Sequence, residues 1–206
     1  GSTYERRVGG TTWHWLGTCL RHLPNDFRIR SLYGVGEDWP ITYDDLEPWY
    51  LQAEEALGVA GDSHQDLGSP RSGPYPLPPL PLTYLDRQLA LAVEPLGLKV
   101  ELTPQARNSQ TYDGRPPCCG NATCVPICPI AAKYDASVHA AKAEQLGAQI
   151  LENTVAHFVE VGPDGMVTGI RFKRPDGTEE RAVGRMYALA GNAMETPKLL
   201  LISRTD

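Results

Sequence analysis

Four of the five cysteines in this chain, Cys118, Cys119, Cys124 and Cys128, fall within eleven residues. No other feature limits the fold so strongly, because four thiols this close must either be kept apart or be given a shared task. An odd cysteine count with four crowded together, and Cys19 alone far upstream, is not a disulfide framework and points instead to metal. The spacing is Cys118-Cys119-x4-Cys124-x3-Cys128-Pro129. A structural zinc site commonly uses two C-x2–4-C pairs. Here a second pair is missing and the nearest histidine, His139, belongs to the following helix. A disulfide between sequence neighbours would be strained. An iron–sulfur cluster fits the spacing better, since a Cys-Pro step also ends the bacterial ferredoxin run. Adjacent side chains on extended backbone point to opposite faces, so Cys118 and Cys119 do not both serve one cluster. That leaves Cys118, Cys124 and Cys128 as ligands of a three-iron, four-sulfur (3Fe–4S) cluster. A four-iron cluster would draw its fourth ligand from elsewhere. Gly120 and Asn121 suit left-handed backbone and let the loop, 107–135, wrap. Zinc and a disulfide stay open at this point.

The remaining composition narrows the class. The chain has 206 residues, enough for one domain or a domain and a half. Its apolar fraction of 41% and mean hydropathy of -0.32 suit a globular protein. No run of 18 apolar residues exists, so no membrane-spanning helix is expected. A net charge of -6 argues against a nucleic-acid partner, which asks for a basic stripe. The N-terminus lacks an initiator Met and an apolar signal core, and the C-terminus stops inside an apolar run (Leu199–Ile202). The expectation is an internal piece of a longer protein.

Along the chain, a glycine turn and aromatic run occupy 8–22 and a loop 34–41. A helix follows to Leu57, with Thr42 and Asp45 forming a capping box, Pro48 near its start and Gly58 as C-cap. Its expected apolar face is Leu46, Trp49, Tyr50, Ala53 and Leu57. Residues 68–83 form a proline-rich crossing whose Tyr75, Leu77, Leu80 and Leu82 favour packing over a free linker. A short helix is expected at 83–96, a strand at 98–102, and a helix at 137–146 ending at Gly147. Strands are expected at Gln149–Leu151, Val155–Val161, Met166–Lys173, Glu179–Val183 and Met186–Ala190, the middle three as a meander with Pro-Asp-Gly turns. A last helix should begin after Gly191, capped by Thr196 with Pro197 first.

Gly9-Gly10-Thr11-Thr12 places small residues and hydroxyls ahead of a helix start, where backbone N–H groups can meet an anion or a flat cofactor. An ordinary tight turn explains the same residues, and Trp13, His14 and Trp15 could equally be core. These two readings also stay open.

Several stretches together resemble the glucose–methanol–choline (GMC) flavoprotein family, in its bacterial branch of membrane-associated sugar and polyol dehydrogenases of the gluconate and glucose type. They are RVGGTTWHW (7–15) with RHLPNDF (21–27), YGVGEDWPITYDDLEPWYLQAEEALGVAG (33–61), CCGNATCVPICPIAAKYDA (118–136) and YALAGNAMETPKLLLIS (187–203). Departures occur at Ala131-Ala132-Lys133, where relatives usually carry Gly-Ala-Met, and at Gly191-Asn192-Ala193 in place of Ala-Asn-Gly. The resemblance implies an α/β (α+β mixed) fold. Rossmann-like FAD-binding segments at 1–20 and 137–206 would flank part of a substrate domain at 21–136 that carries the iron–sulfur loop. It implies FAD as cofactor, with Gly9, Gly10, Thr11, Thr12, Trp13, His14 and Trp15 lining the flavin. Val155 or Ala156 would meet the adenine through backbone atoms, and Ala190 and Gly191 would pass the diphosphate or ribose. The family's dinucleotide fingerprint and catalytic histidine have no counterpart here, so no catalytic residue is carried over. Further implications are a sugar or sugar-acid substrate, hydride transfer to FAD and electron passage through the 3Fe–4S cluster to a multihaem cytochrome c subunit. A small chaperone-like export subunit, membrane association through a partner and a site at the periplasmic face of the bacterial inner membrane complete the picture.

Overall fold

The structure, a computed structural model, describes residues 5–204. It contains two compact units, Gly1–Ala143 and Glu144–Asp206. Helices and one small antiparallel sheet make the mixed α/β class expected.

In the first unit, a 3-10 turn at Gly10–Trp13 is followed by another at Pro24–Arg28 that leads into helix α1 (Ile29–Tyr33). Helix α2 (Tyr43–Leu57) forms as its caps demand. Thr42 Oγ1 accepts from Asp45 N at 3.3 Å, Asp45 Oδ2 accepts from Thr42 N at 2.8 Å, and Gly58 ends the helix at φ 73°. The buried stripe is not the purely apolar one expected. Trp49 is 63% exposed and Ala53 faces outward, while Tyr43 and Glu54 are buried. A carboxylate replaces an apolar side chain on the inner face because two arginines, Arg21 and Arg71, meet it there.

Helix α3 (Tyr84–Val93) starts at a second capping box, Thr83 with Asp86, and tightens into a 3-10 turn at Glu94–Leu96. The strand expected at 98–102 does not form. The extended segment lies a few residues later, at 104–108, because that is where backbone partners exist. Cys19 N donates to Pro104 O (2.9 Å), Ala106 N to Gly17 O (2.7 Å) and Ala60 N to Gln105 O (2.8 Å). Tyr134 N donates to Ala106 O (2.8 Å) and Asn108 N to Ala132 O (2.9 Å). Residues 104–108 are thus the hub joining the N-terminal segment, the end of α2 and the far side of the cysteine loop. The core Val59, Ala106 and Tyr134 closes around this hub, with Trp15, Cys19 and Tyr75 packed against it. The proline-rich crossing is packed, as expected: Leu77 is buried and bridges Ala60. Helix α4 (Ser137–Gln145) follows the loop and is stopped at Gly147.

The second unit is a meander, β1 (Val155–Val161), β2 (Val167–Lys173) and β3 (Glu179–Ala182), antiparallel in the order β1-β2-β3. Gly165 and Gly177 take φ of 79° and 84° in its two turns. Helix α5 (Asn192–Ile202) packs on β1, where Ser203 Oγ accepts from Val159 N (2.8 Å). Three expectations fail here. Residues 149–151 and 186–190 are not strands, and Met186 is 92% exposed. α5 begins four residues before Thr196 because Asn192 Oδ1 accepts from Met194 N and Glu195 N. Thr196 instead accepts from Gly191 N, and Pro197 lies inside the helix.

Candidate functional site

The Gly9–Trp15 segment is held rigidly from one side and open on the other. Gly9 has φ 90°, and a Cβ there would lie 2.5 Å from Trp13 Nε1 and 3.2 Å from Ser137 N. This glycine is required by the fold itself. Gly10 has φ 52°, and a Cβ there would find nothing nearer than Glu5 O at 3.9 Å. The free space beside Gly10 is where a flat group can approach backbone. Thr12 Oγ1 donates to Gly9 O and accepts from Ala136 N (2.8 Å), so it fastens the turn to the start of α4. Thr11 is exposed, and its hydroxyl accepts from Glu5 N at 3.4 Å. The indole N–H groups are used internally: Trp13 donates to Val8 O (2.7 Å) and Trp15 to Tyr134 O (2.8 Å). His14 is half-buried and closes the 3-10 turn through its backbone.

The cysteine loop departs from Asn108, whose carbonyl accepts from Cys118 N at 2.8 Å, and returns at Ala132. Left-handed residues Gly120, Ala122 and Ala131 wind it between those points. All five cysteines are free thiols. Cys118, Cys124 and Cys128 are half-buried, whereas Cys119 is exposed, in line with opposite directions for neighbours. Two of the three sulfurs already accept hydrogen bonds, Cys118 from Gly120 N (3.4 Å) and Cys124 from Arg107 Nη1 (3.4 Å). Among the described residues, no three His, Cys, Asp or Glu side chains are gathered to hold a single metal ion. Zinc and a cluster alike need the thiolates drawn together, on one ion or on neighbouring irons of one core. The donor set suits thiolate ligation in its chemistry: free, half-buried thiols, two of them receiving N–H donors, beside positive charge. Cys19 is a core thiol of a different kind. Burial pushes it up to about 11, and Sγ rests 3.3 Å from Gly17 O.

Sequence reasoning missed the residue that joins these two segments. Lys133 is 2% exposed, and its ammonium donates to Trp13 O (2.8 Å), Trp15 O (2.7 Å) and Cys124 O (2.9 Å). Burial lowers its pKa below the ordinary lysine range, and the neighbouring Cys124 and Cys128 partly oppose that. One side chain thus fixes the cysteine loop against the turn expected to face the flavin. The only hint in the sequence is a lysine in an otherwise apolar run, Pro129–Ala132, ahead of Tyr134. His139 is paired with Tyr134, its Nδ1 2.9 Å from the phenol oxygen.

In the second unit, Val155 and Ala156 open β1, exposed and paired with Lys173 and Phe172. Ala190 and Gly191 are exposed at the approach to α5. A groove of about 520 Å³ beside α3, lined by Leu82, Ala90, Leu91, Leu98 and Val100 among others, contains none of the expected contact residues.

Comparison with known proteins decides the family, although no family model matches. The chain is 46% identical over 201 residues to the fructose dehydrogenase large subunit of Gluconobacter japonicus, covering 97% of this chain and 37% of that protein. It is 33% identical over 213 residues to 6'''-hydroxyparomomycin C oxidase of Streptomyces lividus, with 96% and 37% covered. It is 31% identical over 200 residues to an uncharacterized GMC-type oxidoreductase of Mycobacterium tuberculosis, with 95% and 27% covered. The chain belongs to the GMC oxidoreductase family. It spans little more than a third of the length of the first two of these relatives. GMC oxidoreductases bind FAD. No described helix is long and apolar enough to cross a membrane.

Proposed function

We propose that this chain is part of an FAD-dependent dehydrogenase subunit that oxidises a CH–OH group of a sugar or sugar acid and passes electrons through a 3Fe–4S cluster on Cys118, Cys124 and Cys128. The observation that carries this reading is the Lys133 clasp, which joins the flavin-type turn to a loop of free, half-buried thiols. The resemblance to a fructose dehydrogenase large subunit adds ketoses to the gluconate and glucose substrates considered. It also favours a multi-subunit enzyme. A multihaem cytochrome c as acceptor, a small chaperone-like subunit and attachment at the periplasmic face through a partner belong to this proposal.

Residues 1–20 and 137–206 are assigned to FAD binding, and 21–136 to the substrate side with the cluster loop. When bound, FAD supplies the hydride acceptor and the cluster a one-electron acceptor. The chain's own residues bind and orient. Gly10 leaves room for the flavin at backbone level, while Thr12, Trp13 and Trp15 stiffen the turn through bonds to Gly9, Ala136, Val8 and Tyr134. Lys133 holds the backbone of Cys124 at a fixed distance from that turn, as electron transfer over a gap requires. Val155, Ala156, Ala190 and Gly191 are assigned to the adenine, ribose and diphosphate.

An oxidase relative makes direct use of oxygen the second reading. The test is the purified full-length enzyme: its visible spectrum, iron and acid-labile sulfide content, and turnover of fructose, gluconate and glucose with ferricyanide, cytochrome c or oxygen. Flavin with iron and activity on the artificial or haem acceptor is expected. Flavin without iron, with oxygen as the sole acceptor, would replace the dehydrogenase by the oxidase, and zinc without flavin would defeat both.

A further inference from the structure

Two cations bear on Cys124, and neither has a carboxylate partner among the described residues. Arg107 is half-buried and donates from Nη1 to Cys124 Sγ at 3.4 Å, while its Nε is buried with no acceptor. Lys133 lies opposite on the antiparallel bridge Arg107↔Lys133, buried, with three backbone carbonyls as its acceptors among the described residues, one of them that of Cys124. The one carboxylate felt by Lys133, that of Asp135, is turned to Ser137 N and Oγ. A buried cation without a counter-ion is costly, because burial penalises the charged form and dipoles alone do not neutralise it. A neutral thiol is a poor acceptor for a guanidinium. Both groups make electrostatic sense once the sulfur they surround belongs to an anionic centre.

We propose that Arg107 and Lys133 are positioning residues that set the reduction potential of the iron–sulfur centre through Cys124. The inference rests on the cysteine loop being a cluster site. A cluster held by three thiolates is negatively charged and gains one further negative charge when it takes an electron. Two fixed positive charges in a low-dielectric shell, one of them hydrogen-bonded to a ligand sulfur, stabilise the reduced form more than the oxidised form. The potential is raised, which favours electron flow from the flavin onto the centre. No bond is made or broken at either residue.

The experiment is a redox titration of the holoenzyme followed by the paramagnetic resonance of the oxidised three-iron centre, in wild type, Arg107→Met, Arg107→Lys and Lys133→Met. Each Met variant keeps side-chain bulk and removes charge. The midpoint should fall in both by an amount equivalent to about a tenfold change in the one-electron equilibrium, ~59 mV. Arg107→Lys should stay near wild type, because it keeps the charge. An intact signal with an unmoved midpoint in both Met variants overturns the inference. If Arg107→Met loses its iron, Lys133→Met decides by the same criterion. Loss of iron from both Met variants but not from Arg107→Lys supports the charge role, and loss from all three overturns it in favour of a purely structural one. Wild type lacking iron defeats the cluster reading itself, whereas iron present with an unmoved midpoint defeats this inference alone.

Discussion

Replacing Glu54 with Ala tests whether the buried ion network holds α2 and the proline-rich crossing together. The Glu54 carboxylate accepts four N–H bonds, from Arg21 Nε (2.8 Å) and Nη2 (3.0 Å) and from Arg71 Nη1 (2.9 Å) and Nη2 (2.7 Å). Side-chain exposure is 3% for Arg21, 6% for Glu54 and 11% for Arg71, so solvent cannot replace the lost partner. Arg21 retains Glu47 at 3.0 Å, Tyr43 and Pro70 O, but Arg71 loses its only carboxylate among the described residues and keeps Gly73 O and the Tyr75 ring. Removing one partner of a buried pair typically costs ~3–5 kcal/mol. For a chain of this size that lowers Tm by roughly 6–20 °C. Acidity should act in the same direction. Burial pushes the Glu54 carboxyl up, but its bonds to Arg21 and Arg71 more than reverse this, and its pKa lies below the ordinary value of 4.5. A folded-state value below the unfolded one means the stabilisation is complete above pH 4.5 and is lost as the pH falls further through the folded-state value. Glu54→Gln should therefore lose stability at neutral pH and show a flatter acid limb than wild type. Thermal melts of both variants and wild type from pH 3 to pH 7, read by circular dichroism, make the measurement. A fall of less than about 2 °C in Glu54→Ala at pH 7 would refute the reasoning, being under 1 kcal/mol.

Gly10→Val should strain the turn, whose φ is 52° there, and prevent FAD retention, because the space beside Gly10 is where the flavin would approach; normal flavin content in the purified full-length variant would sink it. Gly58→Ala places Cβ 2.7 Å from Tyr112 Cδ1 on left-handed backbone at φ 73°, and should cost ~2–4 kcal/mol in urea unfolding. Cys119→Ser should retain the iron and its resonance while Cys118→Ser loses them, because Cys119 is exposed whereas Cys118 is half-buried and its sulfur accepts from Gly120 N. The reverse pattern would exchange the two ligands.

What the sequence made legible was local. Thr42 with Asp45 and Gly58 bracket α2 because each supplies a bond or a backbone angle that the helix end requires wherever it sits. The Pro-Asp-Gly turn at 175–177 and the glycine at 165 mark the meander for the same reason. The failures share a cause. The strands expected at 98–102, 149–151 and 186–190 are apolar enough to pair, but a strand forms only where a neighbour supplies the ladder. The hub at 104–108 has neighbours on both sides and little apolar signal of its own. Likewise Glu54 reads as a solvent-facing position until Arg21 and Arg71, 33 residues before and 17 after it, are seen to converge on it.

The same argument separates the cysteines from the residues that give them meaning. Crowded thiols announce a shared task in any context, so spacing alone brings Cys118, Cys124 and Cys128 forward. A lysine in an alanine-rich step announces nothing, and Ala131-Ala132-Lys133 passes as a small departure from a Gly-Ala-Met pattern. Its position changes that. A buried ammonium requires acceptors, and the three carbonyls it finds belong to Trp13, Trp15 and Cys124, which lie up to 120 residues away in sequence. The contact therefore ties the two motifs that the sequence offered separately, and it does so with a charge. If that charge serves only to hold backbone, Met in its place would lose the clasp without touching the potential. If it serves the centre as well, the potential moves even where the fold does not.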